Sequence, residues 1–262
     1  FSPKRFVGFA NYARLLGGRD SLFLNLKWPP SGALINNILW ILFFAGGTVV
    51  IGLAIAVLAD GLRLEKIFKS VIFLPMIISA TAASVIFRFL YSSDPHIGLL
   101  NALISTISPG KKPIPWLGST DIVNIALIGA GIWIWTGLSM TVLSAAYKSL
   151  DREILEAAKV DGCSPVGTLF RVVFPLAAPG IVVTFTQALI LSWNEFMFAL
   201  TFLNSYENWT VPLALGSSRG QYLIDWGYLF AGSVLITIPI VIVFLLLQKY
   251  IVQGLVSGAV KG

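Results

Sequence analysis

The sequence predicts an all-α membrane protein, a polytopic bundle of spanning helices, on three observations. Of its 262 residues, 56% are hydrophobic and only 11% charged, with a mean hydropathy of +0.85, far from the composition of a soluble domain. Five apolar stretches are long enough to cross a hydrocarbon core that needs about 20 helical residues: Leu34–Ala59, Ser70–Leu90, Ile122–Tyr147, Leu176–Leu203 and Gly227–Leu247. None alternates in polarity at period two, so they read as helices and not as barrel strands.

Residues 1–32 read as an extracytoplasmic N-terminal segment, polar and aromatic with no signal-peptide core; the start at Phe1 without an initiator Met implies a further segment before it. Residues 33–262 form the transmembrane domain. Gly46, Gly47 and Gly52 in the first span, and Gly129, Gly131 and Gly137 in the third, let helices approach closely. Pro75 and Pro239 start or kink their spans, since a proline frees a carbonyl that a neighbour must take up. Ser93–Thr120, with Pro109-Gly110-Lys111-Lys112-Pro113, and Asn204–Trp226, with Tyr206, Trp209, Tyr222 and Trp226, read as extracytoplasmic loops with turn chemistry.

Orientation follows from Lys and Arg in short loops, which collect on the cytoplasmic side. One side holds Arg63, Lys66, Lys69, Lys148, Arg152, Lys159, Arg171, Lys249 and Lys261. The other holds Arg88, Lys111, Lys112 and Arg219, plus Lys4, Arg5, Arg14, Arg19 and Lys27 in the leading segment. With that segment set aside because its upstream context is missing, the balance places the loop at 148–175 in the cytoplasm.

That loop is unusual for a connector between spans, which needs only about two to eight residues. Asp151 is placed to accept from free N–H groups at a helix start, Glu153 sits in the first turn where the helix dipole favours an anion, and Glu156-Ala157-Ala158 continues with good helix formers. Gly162 suits a left-handed C-terminal position, and Ser164-Pro165 supplies an N-cap followed by a first-turn proline. Two short helices therefore meet at a bend and present Ile154, Leu155, Val166 and Phe170 beside charges, ahead of Pro175 and Pro179. A surface of this kind is built to touch another protein.

Several function classes fall away. There is no G-x-x-x-x-G-K-[ST] run to hold a nucleotide, and one His, one Cys and 12 carboxylates spread over loops give neither a triad nor a metal set. His96 reads as a loop residue at the membrane edge and Cys163 as a small filler beside the bend. The charge of +6 is scattered without a basic run, so no nucleic-acid partner is expected.

Glu156-Ala157-Ala158, three residues, Gly162, nine residues, then Val172-x-Phe174-Pro175 resembles the E-A-A-x3-G-x9-I-x-L-P loop of permease subunits of bacterial and archaeal ABC importers. Val172 and Phe174 depart from the Ile and Leu of that pattern but keep the apolar face. The resemblance covers nearly the whole chain and narrows to the carbohydrate branch, of maltose and glycerol-phosphate type. FVGFANYARLL, FKSVIFLPMIISATAASVIFRFLY and IGLLNALI look like the first permease subunit of such systems, whereas WNEFMFALTFL and QKYIVQGLVSGAVKG look like the second.

The resemblance implies a type I ABC importer permease fold in the cytoplasmic membrane of a bacterium or archaeon. It implies a second permease subunit, a different chain in preference to a copy of this one. Two copies of an ABC ATPase that bind ATP and Mg, and an extracytoplasmic sugar-binding protein, are the other expected partners, beside membrane lipid. The chain itself would carry no cofactor and no enzymatic step. Glu156, Ala157, Ala158, Asp161 and Gly162 are then the ATPase-docking residues, with small side chains permitting close approach and the two carboxylates open to cations.

For the substrate path, Asn194, Glu195, Trp193, Trp133 and Trp135 offer hydrogen-bond partners and flat apolar faces that suit a sugar. A charge inside a span should face protein or water, which singles out Glu195; aromatic belts and helix packing account for the tryptophans more readily. An importer permease for glycerol phosphate, an amino acid or a peptide would keep the loop and change the pocket. An ion-coupled secondary carrier would require intramembrane charges and inverted repeats.

Overall fold

The computed structural model describes residues 7–17, 22–26, 31–217 and 225–259, the side chains of Lys159, Pro165, Val166 and 251–259 excepted. Tyr222 and the cations Lys4, Arg5, Arg19, Lys27, Arg219 and Lys261 lie outside the described residues. Among the described residues the structure is helical, with one isolated bridge pairing Asn25 and Ser31.

Among the described residues, four helices are long and apolar enough to cross a bilayer: Ala33–Ala59, Val123–Lys148, Ala178–Phe202 and Trp226–Tyr250. The run Ser70–Leu90, expected as one span that Pro75 starts or kinks, is two helices. Glu65–Phe73 tightens into a 3₁₀ turn over Leu74–Ile77 with Pro75 in its first positions, and Ile78 is extended. Ser79 then caps a new helix, Ala80–Leu90, its hydroxyl accepting from the Ala82 N–H at 3.2 Å. Each piece is at most about 20 Å long, less than a hydrocarbon core. The pair counts as a fifth span only when taken together.

The chain packs as two compact units. One gathers Phe1–Trp40, Ser79–Ala130 and Ser192–Val241. Its core joins Leu15 of the short helix Ala10–Leu16 with Phe23, Val211, Ala214, Leu215, Tyr228 and Ala231. Arg14 ties that helix to the start of the last span, paired with Asp225 at 2.8 Å and lying 5.5 Å from the centre of the Tyr228 ring. Asp225 also caps the last span by accepting from the Tyr228 N–H at 3.0 Å. That N–H, and then Arg14, hold the Asp225 carboxyl below the usual carboxylate range. Between the broken pair and the third span, Asn101 braces the loop with side-chain bonds to Ser92 and Ile114.

The second unit gathers Ile41–Ile78, Gly131–Leu191 and Ile242–Gly262. Its core is Val49, Leu53 and Ala56 of the first span, Met140 and Leu143 of the third, and Val173, Ala177 and Ile181 around the end of the loop at 148–175. Glycines set these contacts. A Cβ on Gly52 would stand 2.9 Å from the Met140 backbone nitrogen, and one on Gly137 would stand 2.5 Å from the Ile72 carbonyl oxygen. At both contacts, of the third span with the first and of the third span with Glu65–Phe73, helices meet nearly backbone to backbone, as small residues allow in membranes.

Candidate functional site

The loop after the third span begins as its capping residues require. The Asp151 carboxylate accepts from the Glu153 N–H at 3.0 Å and starts the helix Arg152–Val160. Gly162 closes it at φ +80, a left-handed conformation that strains any residue with a Cβ. Ser164 then caps the second helix, Pro165–Thr168, by accepting from the Gly167 N–H at 3.1 Å. Leu169–Val173 widens into a π turn just ahead of Pro175, whose ring has no N–H to continue the ladder and crowds the carbonyl one turn back.

The first loop helix has two faces. Leu155 packs against the core of its unit, and Ala158 is buried at 7% exposure. Glu153, Glu156, Ala157 and Val160 share the opposite face by their i, i+3, i+4, i+7 spacing and are exposed, as are Asp161 and Gly162 at the tip. Of the five residues named for docking, four thus face outward and Ala158 faces its own chain. Val160, at 86% exposure the most outward apolar side chain of this helix, went unmarked in the sequence. Its signal is the seven-residue step from Glu153. Phe170 is also exposed, at 63%.

The second feature lies in the fourth span, which unwinds after Trp193 and resumes at Met197–Phe202. Unwinding inside a membrane frees backbone groups that protein must satisfy. Here the Trp193 carbonyl accepts from the Asn37 side-chain amide at 3.2 Å, and the Glu195 carbonyl accepts from the Thr210 hydroxyl at 2.8 Å. The Glu195 carboxylate accepts from the Phe198 N–H at 2.7 Å, which makes it the cap of the resumed helix. Asn37 holds the other side through its carbonyl oxygen, which accepts from the Val211 N–H at 2.7 Å. Asn36 and Asn124 fasten the intervening segment by donating to the carbonyls of Glu207, Trp209 and Asn208. Within this frame Trp193 is buried and Asn194 is exposed.

Trp133 and Trp135, two residues apart, point to different surroundings. Trp133 is 46% exposed and lines an open apolar groove of about 430 Å³ with Val71, Leu74, Pro75, Ile77 and Ile78. Trp135 lines a narrow crevice with Ser139, Thr184 and Gln187, with room for about one water. The hydroxyls and amide of that crevice went unremarked in the sequence, although Gln187 is a lone amide in a long apolar run. Among the described residues no group of three His, Cys, Asp or Glu side chains is placed to hold a metal.

Residues 48–257 match the family described as binding-protein-dependent transport system inner membrane component. The chain is 38% identical over 204 residues to an osmoprotective compounds uptake permease protein of Synechocystis sp., covering 76% of this chain and 69% of that one. It is 33% identical over 208 residues to an alpha-glucoside transport system permease protein of Rhizobium meliloti, with 77% and 58% covered. It is 36% identical over 173 residues to a trehalose/maltose transport system permease protein of Thermococcus litoralis, with 65% and 59% covered. The chain therefore spans between 58% and 69% of the length of these relatives. A crystal structure of a bacterial ABC transporter involved in the import of the acidic polysaccharide alginate shares the fold. Its TM-score is 0.72 at 18% identity, over 94% of this chain and 84% of that one. Helices that cross a membrane, a capped loop turned outward and a match over residues 48–257 converge: the chain belongs to the family of inner membrane components of binding-protein-dependent transport systems.

Proposed function

We propose that the chain is one permease subunit of an ABC importer that moves a sugar across the cytoplasmic membrane. A second permease subunit, two copies of an ABC ATPase and an extracytoplasmic sugar-binding protein complete the machine. The observation that carries this reading is the outward face of Arg152–Val160, where Glu156, Ala157 and Val160 stand exposed on a helix anchored from behind by Leu155 and Ala158. In this reading a partner ATPase binds ATP and Mg, and an exposed docking element on this chain supports it. Closure of two ATPase subunits on ATP would draw their docked loops together and switch the spans between inward-facing and outward-facing states. Relatives named for alpha-glucosides and for trehalose and maltose support a sugar as cargo.

The decisive experiment is uptake by proteoliposomes holding the purified complex and its binding protein. Sugar accumulation should require ATP and the ATPase subunit and should persist when proton and sodium gradients are collapsed. Uptake that survives removal of the ATPase and stops with the gradient would overturn the reading, and uptake of an amino acid or phosphate ester instead of sugar would change the cargo.

Asn194, exposed where the fourth span unwinds, is the substrate-path residue most open to a hydroxylated ligand; Glu195 and Trp193 hold the backbone around it. Asn194→Ala should raise the sugar concentration needed to stimulate ATP hydrolysis about tenfold, the equivalent of one hydrogen bond to a polar ligand, and leave assembly intact. An unchanged dose response removes it from the path.

A further inference from the structure

The helix Glu65–Phe73 turns two charged side chains, Glu65 and Lys69, toward the protein, whereas Lys66 and Ser70 are exposed. Glu65, Lys69 and Ile72 face the protein, while Leu64, Ile67, Phe68 and Val71 are exposed. Its grip on the third span comes from the close approach of Gly137 to the backbone at Ile72 and Phe73, and from charge. One oxygen of the Glu65 carboxylate accepts from Lys69 Nζ at 2.7 Å and from Lys148 Nζ at 2.6 Å. Lys69 also donates to Ser144, which is buried, and Lys148 Nζ stands 3.8 Å from Asp60 Oδ1. Two carboxylates and two ammonium groups thus form one balanced cluster.

Its location gives the cluster a mechanical meaning. Lys148 is the last residue of the third span, and Asp151, which caps the docking helix, follows three residues later. Three residues reach about 10 Å at most, so a displacement of the loop is felt at Lys148. The Lys148 side chain is 49% exposed, and a half-exposed pair of this kind adds little to folding stability. A contact that holds two helices in register without much stabilising them is suited to carrying motion.

We propose that Glu65 is a positioning residue for the transport cycle, acting through Lys148 to couple the loop at 148–175 to the helix Glu65–Phe73. The proposal rests on the docking reading above. When the ATPase moves the loop, Lys148 pulls on Glu65 and the helix Glu65–Phe73 follows; without the charge, the loop moves and the helix lags.

The test uses the complete complex in proteoliposomes and reads three quantities: ATPase retained on purification, ATP hydrolysis, and sugar transported per ATP hydrolysed. Glu65→Gln and, independently, Lys148→Met should retain the ATPase and its hydrolysis but lower sugar per ATP about tenfold. The charge exchange Glu65→Lys with Lys148→Glu keeps the cluster balanced and should recover most of that loss. Lys148→Met removes a charge from the half-exposed end and does not threaten folding, so the proposal stays open to refutation if Glu65→Gln misfolds. Unchanged sugar per ATP in either single variant overturns it, as does a loss that the exchange does not recover. A wild-type complex that lacks a bound ATPase would instead overturn the docking reading.

Discussion

Gly137→Val should leave a chain that inserts into the membrane but does not reach a stable packed state. The Cβ of any side chain there would stand 2.5 Å from the Ile72 carbonyl oxygen and 2.7 Å from the Phe73 Cα. Both are backbone atoms and cannot rotate away, so the third span and the helix Glu65–Phe73 must separate. Overpacking in a core costs about 1–3 kcal/mol, occasionally more, and valine adds two methyl groups beyond the clashing Cβ, which places this site at or above the upper end. The other glycines supply an internal scale. At Gly52 the obstacles are the Met140 backbone nitrogen and the Ser139 Cβ, both at 2.9 Å, whereas at Gly47 the obstacle is the flexible end of Ile132. A Cβ on Gly46 meets nothing within 4 Å, so Gly46→Ala should be neutral or raise stability by about 1 kcal/mol through helix propensity. Thermal unfolding in detergent, read by size-exclusion chromatography, should rank the alanine variants Gly137, Gly52, Gly47, Gly46 from most to least damaging. Equal melting for the Gly137 and Gly46 variants would refute the close-packing account.

The membrane character and the loop design were legible because both are local. Apolar length identifies a span within one window, and Asp151, Gly162 and Ser164 act on backbone groups within a few residues of themselves. Continuity of the spans was legible only in part, through the kink or start expected at Pro75. The break at Ser79 has a local signal, Pro75 followed by a capping serine, but hydropathy averages run straight over it. The unwinding after Trp193 is stabilised from far away in the chain, by Asn37 and Thr210 taking up the freed carbonyls. No pattern near Trp193 announces those partners. The same limit applies to the face of the helix Arg152–Val160: spacing puts Leu155 and Ala158 on one side and Ala157 and Val160 on the other, but only the core beneath decides which side is inward.

Glu156→Lys is expected to release the ATPase while leaving the permease inserted and folded. Glu156 lies in the middle of Arg152–Val160 on its exposed side, and lysine forms helix as readily as glutamate, so the loop itself should survive. If the proposed docking sets Glu156 against cations of the ATPase, reversal replaces an attraction with a like-charge contact, which costs several kcal/mol at an interface. Each 1.4 kcal/mol is about tenfold in affinity, so co-purification should fall at least about a hundredfold. Two companion variants separate docking from folding. Val160→Asp changes the most exposed apolar side chain of this helix and should weaken association without disturbing the loop, whereas Ala158→Glu forces a charge into a buried position and should unfold the helix pair first. Normal co-purification and normal uptake with Glu156→Lys would sink the docking assignment. Loss with Ala158→Glu alone would mean that the loop matters for its fold and not for the surface it presents.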